Sequence, residues 1–175
     1  RDAGKIAAIG ISNFSADQIR ATVPVTDIAA VQMQFSPINR EAIDRVRLTH
    51  EELKLPLVAG DALTKGLLSG KYTASTRFGI GDNRHRDPEF QGERFLSNLK
   101  VADGLKIVAT RLGRAPVQIA IRWLMDTTGV AVVLAGAKTA EQVEENCQSS
   151  GWRLSDADYR FLQRLADEAR FPLAG

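Results

Sequence analysis

Two rhythms of apolar and polar residues divide this chain. Short runs dense in aliphatic and β-branched residues stand at 5–11 (KIAAIGI), 28–34 (IAAVQMQ), 55–59 (LPLVA) and 130–134 (VAVVL), and they predict four strands. The last run holds no polar residue, which predicts a strand covered on both faces. Elsewhere apolar residues recur every three or four positions, as one face of a helix requires. Ile43, Val46, Leu48 and Leu53 mark a helix over 41–54, and Phe95, Leu99, Ala102, Leu105, Val108 and Leu112 mark one over 93–112. Ile119, Ile121, Trp123 and Leu124 mark a third over 116–126, and Tyr159, Leu162 and Leu165 a terminal one. The ends are signposted too. Ser15 with Gln18 and Thr139 with Gln142 have capping-box spacing, Ser155 is an N-cap, Gly113 is a stop and Pro116 suits a first turn. Pro24 ends a short helix over 18–22.

Strands followed by helices, four times over, imply a parallel sheet with right-handed crossovers. The order βα, βα, β–loop–αα, βα, α is half of an eight-stranded (β/α)8 barrel plus C-terminal helices. A small doubly wound sheet is the other arrangement, but the turn after the first strand has no G-x-G-x-x-G. Residues 60–72 carry three glycines and read as a shaped loop. Residues 73–92 form the one long irregular connection, the kind that serves as a lid or stays disordered.

Composition changes little in this picture. At 175 residues, 44% hydrophobic and 25% charged, the chain fits one ordinary domain. Its 23 basic and 21 acidic residues are too balanced to argue for nucleic acid or an anionic membrane, and 6% aromatics weakens base stacking. No apolar run approaches the ~20 residues of a transmembrane helix. The single Cys147 excludes an internal disulfide, and its place on an apolar stripe with Val143 predicts a buried free thiol in a reducing compartment, the cytoplasm. The chain opens in RDAGKI without a Met, which is read as a cut end.

The chemistry-bearing stretch is 130–147. A strand, Gly136, Lys138 and a helix starting near Ala140 are the ingredients of an anion site, because free helix N–H groups and the macrodipole both favour phosphate. Lys138, Gln142, Glu145 and Asn146 share one helix face. An ordinary capped helix with a solvated lysine fits the same residues. Other chemistries fit worse. Gly66 to Lys71 lacks P-loop spacing, no G-x-S-x-G occurs, and Asp17, Asp27, Asp61 and Asp82 form no metal pattern. His50 and His85 read as surface residues. Arg77 to Arg86 reads as a mobile loop with solvated charges near the mouth of the site.

Four segments carry a resemblance. GKIAAIGISNFS at 4–15, VQMQFSPINR at 31–40, GLLSGKY at 66–72 and VLAGAKTAEQVEEN at 133–146 resemble, in order, the strand-end motifs of the aldo-keto reductase family. The likeness covers the chain and corresponds to the C-terminal half of that barrel, from its fifth strand onward. It implies a partial TIM (β/α)8 barrel over 1–175 and hydride transfer between NADPH and an aldehyde or ketone. It also implies residue roles. Ser12, Asn13 and Gln32 would hold the nicotinamide carboxamide, whose donors and acceptors such side chains match without added charge. Leu63, Gly66 and Lys71 would wrap the pyrophosphate. Gly136, Lys138, Gln142, Glu145 and Asn146 would take the adenosine end, with Lys138 meeting a 2′-phosphate and so favouring NADPH over NADH.

Two departures qualify that reading. Gly60 stands where the family has an aromatic ring against the nicotinamide, and Asp61 where it has Ser or Gly. The family's catalytic Asp, Tyr, Lys and His lie on strands without counterparts here, so no catalytic residue is assigned and the chain alone is expected to be inactive. The alternative is a non-catalytic nucleotide-binding or interaction module, as in potassium-channel β subunits. Open first and last strands predict a homodimer or aggregation.

Overall fold

The computed structural model describes residues 1–39, 45–46 and 48–169. Four parallel strands, β1 (Gly10–Ser12), β2 (Ala30–Gln34), β3 (Leu57–Gly60) and β4 (Val130–Val133), form one sheet in sequential order. Five α-helices are described: α1 (Ala16–Thr22), α2 (Gly92–Leu112), α3 (Pro116–Asp126), α4 (Ala140–Cys147) and α5 (Asp156–Glu168). The alternation of strand and helix is the one expected. The start of the helix predicted over 41–54 lies outside the described residues, and its later part, Leu48–Glu52, is a π-helical turn.

Cap chemistry accounts for several boundaries. Ser15 Oγ accepts from the Gln18 backbone N–H at 3.2 Å while Gln18 Oε1 accepts from the Ser15 N–H at 2.8 Å, so two orphan N–H groups at the start of α1 are satisfied together. Gly113 ends α2 in the left-handed conformation, at φ +62. Pro116 opens α3 at its first turn, where its missing N–H costs nothing.

The register explains the sheet's two faces. Ile11, Val31, Met33, Leu57 and Ala59 are buried under the helices, while Ser12, Gln32, Val58 and Val132 are laddered partners on the opposite, uncovered face. This corrects the expectation for β4. Val132 is 48% exposed, so the strand is covered on one face, and an apolar sequence without polar markers gave no sign of it. An irregularity between Leu57 and Val58 leaves Ala131 without a ladder partner. The first strand is shorter than predicted, because only Gly10 to Ser12 find partners in β2.

α2 packs against α3 and α5, and α3 packs against β4 and α4. The centre of that layer is Trp123, whose ring stacks on Tyr159 at 5.5 Å and 10°. The Thr127 and Tyr159 hydroxyls meet at 3.0 Å. Beside them the buried Arg122–Asp126 pair, at 2.9 Å, is completed by the Leu154 N–H donating to Asp126 Oδ2 at 3.0 Å. A buried ion pair needs such extra hydrogen bonds to offset its desolvation. α4 buries no residue. Cys147 is therefore exposed rather than buried, and with Val143 it faces a groove of about 440 Å³ bounded by Ile121, Met125, Val130 and Val133.

Candidate functional site

The C-terminal ends of β1, β2 and β3 bring the first predicted group together. Ser12 and Gln32 are ladder partners, and the Asn13 N–H donates to the Gln32 carbonyl at 2.9 Å. Asn13 sits at φ +57, a left-handed position that Asn tolerates better than most residues, and its Nδ2 donates to Ser12 Oγ at 3.3 Å. Three uncharged side chains with both donors and acceptors thus meet at one strand-end corner. Gly60 adjoins them, since a Cβ built there would lie 3.2 Å from Gln32 Nε2. The amide of Gln32 fills the space at which a side chain on residue 60 would begin.

The second group lies on the turn after β3. Asp61, Thr64, Lys65, Gly66 and Gly70 all have positive φ, three of them non-glycine. Such a run is costly and persists because its surroundings hold it. Thr64 is buried with its hydroxyl 3.0 Å from that of Ser36, and Leu67 and Leu68 are buried below. At Gly66 a Cβ would stand 3.7 Å from the Tyr72 hydroxyl and 3.9 Å from Lys71 Nζ, so the bare backbone, an ammonium and a phenol converge. Leu63 is half-buried beside them.

The third group is at the start of α4. Thr139 Oγ1 accepts from the Gln142 N–H at 3.3 Å, but Gln142 Oε1 takes the Lys138 N–H at 2.7 Å, so the expected reciprocal box closes one residue early. The Glu141 carboxylate is held below its ordinary value by its own backbone N–H and by Thr139, so this helix end already favours an anion. Gly136 has open space around it, Lys138 and Glu145 are exposed, and Asn146 borders the groove beside Val143.

Residues 73–91 are built, not loose. Tyr72, Phe78, Phe90 and Phe95 form a chain of ring contacts at 5.2 to 6.1 Å, with Pro88–Phe90 and Asn83–Arg86 as short 3-10 turns. The charges here are expected to be solvated. Arg84 instead lies 4.6 Å from the Phe78 ring, donates to the Tyr72 hydroxyl and pairs with Asp82 through two nitrogens, at 2.8 and 2.5 Å. Its hydrogen bonds hold Asp82 well below the usual carboxylate range, and the charge of Lys138 adds to the effect. Lys65 pairs with Asp87, which raises the lysine, and burial raises Asp61 next to them. The signal missed in the sequence was an arginine set among Tyr72, Phe78 and Phe90, a pattern that offers a cation aromatic faces. His85 is exposed, as expected. His50 is half-buried against Gly129.

Among the described residues, no group of His, Cys, Asp and Glu could hold a metal, and no helix is long and apolar enough to cross a membrane. The polar strand ends, the glycine turn and the capped lysine follow one another along one end of a parallel sheet, which is where barrel proteins keep their sites.

Known proteins resemble this chain over nearly its whole length. The chain is 33% identical over 167 residues to the aldo-keto reductase YhdN of Bacillus subtilis, covering 95% of this chain and 50% of that protein. It is 32% identical to the aldo-keto reductase yakc [NADP(+)] of Schizosaccharomyces pombe, covering 96% and 50%, and 26% identical to an NADH-specific methylglyoxal reductase of Escherichia coli, covering 94% and 50%. Among solved structures, the glycerol dehydrogenase AKR11B4 of Gluconobacter oxydans superposes with a TM-score of 0.87 at 30% identity, over 96% of this chain and 51% of that one. The chain spans about half the length of the curated relatives it matches. The sequence profile of the Aldo/keto reductase family matches residues 1–167, and the chain belongs to that family.

Proposed function

We propose that this chain is the cofactor-holding part of an NADPH-dependent oxidoreductase acting on aldehydes or ketones in the cytoplasm. The observation that carries the reading is the meeting of Ser12, Asn13 and Gln32 at one strand-end corner, with an anion-favouring helix end at Lys138 on the same end of the sheet. When bound, NADPH supplies the hydride.

The residues then divide the labour of holding it. Ser12, Asn13 and Gln32 hydrogen-bond the carboxamide and so fix which ring face is presented. A wrongly turned ring would lose the positioning that makes transfer effectively unimolecular. Leu63, Gly66 and Lys71 accommodate the pyrophosphate, for which the missing Cβ of Gly66 leaves room next to the Lys71 ammonium. Gly136, Lys138, Gln142, Glu145 and Asn146 take the adenosine end, and Lys138 selects the 2′-phosphate. The proton for the carbonyl oxygen comes from groups outside these 175 residues.

Gly60 favours a second reading, a nucleotide-binding module without catalysis, because no stacking aromatic stands there and the space beside it is bordered by the Gln32 side chain and the Met33 carbonyl. Titration of the purified chain with NADPH and NADH, followed by cofactor fluorescence and repeated with Lys138→Ala, tests the proposal. Saturable binding that weakens about tenfold in the variant, for NADPH and not for NADH, is expected for the loss of a charged contact. No saturable binding by a folded chain would overturn it.

A further inference from the structure

Two of the three groups at this end of the sheet are tied together by a bond buried between their loops. The turn after β3 is shaped by its own backbone: the Thr64 N–H donates to the Asp61 carbonyl at 3.0 Å, the Gly66 N–H to the Leu63 carbonyl at 3.0 Å, and the Leu67 N–H to the Thr64 carbonyl at 2.9 Å. None of these bonds leaves the turn. The Thr64 hydroxyl does, and lies 3.0 Å from the Ser36 hydroxyl on the loop that follows β2. Both residues are sealed from solvent, Ser36 at 0% and Thr64 at 2% exposed. Ser36 is itself pinned, since its Oγ accepts from the Asn39 N–H at 2.9 Å and its N–H donates to the Asn39 carbonyl at 3.1 Å.

The backbone of Thr64 marks the contact as more than packing. A β-branched residue at φ +44 is strained, and glycine would hold the same shape without that cost. What threonine adds is the hydroxyl. Beside the ladder bond from the Phe35 N–H to the Gly60 carbonyl, at 3.0 Å, the hydroxyl pair extends the tie between β2 and β3 into the loops beyond them. Ser36 follows Gln32 by four residues and Thr64 precedes Gly66 by two, so the pair sets the spacing between the carboxamide corner and the glycine turn.

We propose that Thr64 is a positioning residue for dinucleotide binding: latched to Ser36, it holds Leu63 and Gly66 at a fixed distance from Gln32, so that one molecule finds both sets of partners already placed. The inference rests on the cofactor reading above. Thr64 is buried and acts through its neighbours. Without the latch, binding must also order the turn against β2, and that cost is taken from affinity.

The test is nucleotide affinity of the purified chain, by cofactor fluorescence with NADPH and NADH, at a temperature where every variant is folded. Thr64→Val keeps the branched shape and removes the hydroxyl, Thr64→Ser keeps the hydroxyl, and Ser36→Ala removes its partner. Expected is a weakening of about five- to tenfold for both nucleotides in Thr64→Val and in Ser36→Ala, and affinity within about twofold of the parent in Thr64→Ser. The Ser36→Ala, Thr64→Val double variant should bind no worse than the weaker single one. Adenosine 2′,5′-bisphosphate, which fits the Lys138 end alone, should bind every variant like the parent by calorimetry. A merely structural pair would lower melting temperatures and leave the affinity of the folded chain unchanged, and that result overturns the proposal. So does a matching loss of bisphosphate binding, the mark of general distortion. If Thr64→Val and Ser36→Ala bind like the parent while Lys138→Ala is impaired, the proposal falls and the cofactor reading stands. If the folded parent binds no nucleotide, the cofactor reading falls and this inference with it. Should Thr64→Val not fold, Ser36→Ala measured against Thr64→Ser decides.

Discussion

The amide nitrogen of Gln32 lies 3.2 Å from the point where a side chain on residue 60 would begin. Gly60 has no left-handed backbone to protect, so what limits substitution there is this contact with the mobile end of a glutamine. Gly60→Ala is expected to change stability by less than about 1 kcal/mol, because Gln32 can give way by a few tenths of an ångström. Gly60→Tyr is expected to cost about 1–3 kcal/mol by overpacking, and the cost should fall in a Gln32→Ala background. Urea denaturation of the four proteins checks this. Additive effects would mean that the two residues do not share space.

Gly104 poses the same question inside the helical layer. A Cβ there would stand 2.2 Å from Leu165 Cδ1, where α2 crosses α5. Helix propensity alone would make Gly104→Ala stabilising by about 1 kcal/mol. The collision should outweigh that gain and leave the variant about 1 kcal/mol less stable, with the sign reversed when Leu165 is also Ala. Thermal melts of the single and double variants distinguish propensity from packing.

Asp61 should make stability depend on pH. Burial raises its carboxyl above the ordinary 3.8, while the Lys65 N–H, 3.3 Å away, and the Lys65 ammonium pull it down, and Asp87 and Glu89 push it up. A raised acid favours the folded state when protonated. Its contribution is complete below the ordinary value and is lost as pH rises through the raised one. Asp61→Asn keeps an acceptor for the Lys65 N–H and has no charge to lose. We expect the variant to gain on the parent as pH rises from about 3 and the gap to level off before neutrality. Denaturant midpoints across that range that keep a constant difference would contradict this.

Self-association is expected from the uncovered side of β4. Val132 on β4 and Leu134 just after it are 48% and 45% exposed, and β4 has a free edge, a template for pairing with another chain. Light scattering after size exclusion should show a concentration-dependent dimer, and Leu134→Lys should shift it toward monomer. A monodisperse monomer at millimolar concentration would argue against it.

Much of the fold was legible where local chemistry decides it. The Ser15–Gln18 box, the Gly113 stop, the Pro116 start and the order of strands and helices all follow from side chains acting on their own neighbours. The missed features depend on what covers a segment. Val130–Val133 reads the same whether one face or two are buried, and Cys147 lies on a helix that buries no residue. In the site, the Ser12, Asn13 and Gln32 corner was visible as motif. Arg84 was missed, because its partners Tyr72 and Phe78 stand 12 and 6 positions earlier, so the pattern of an arginine among aromatics is spread beyond any local motif.

The sheet order carries one more consequence, for the way the molecule opens. β2 and β3 have a ladder neighbour on each side, whereas β1 and β4 have one each. Fluctuations should therefore start at the two margins, with amides of Gly10–Ser12 and Val130–Val133 exchanging with solvent long before those of Val31, Met33 and Ala59. The slow-exchanging centre includes Gln32, so the corner that would orient a nicotinamide ring is half rigid and half breathing: Gln32 is held on the protected strand, and Ser12 and Asn13 on the margin that frays first.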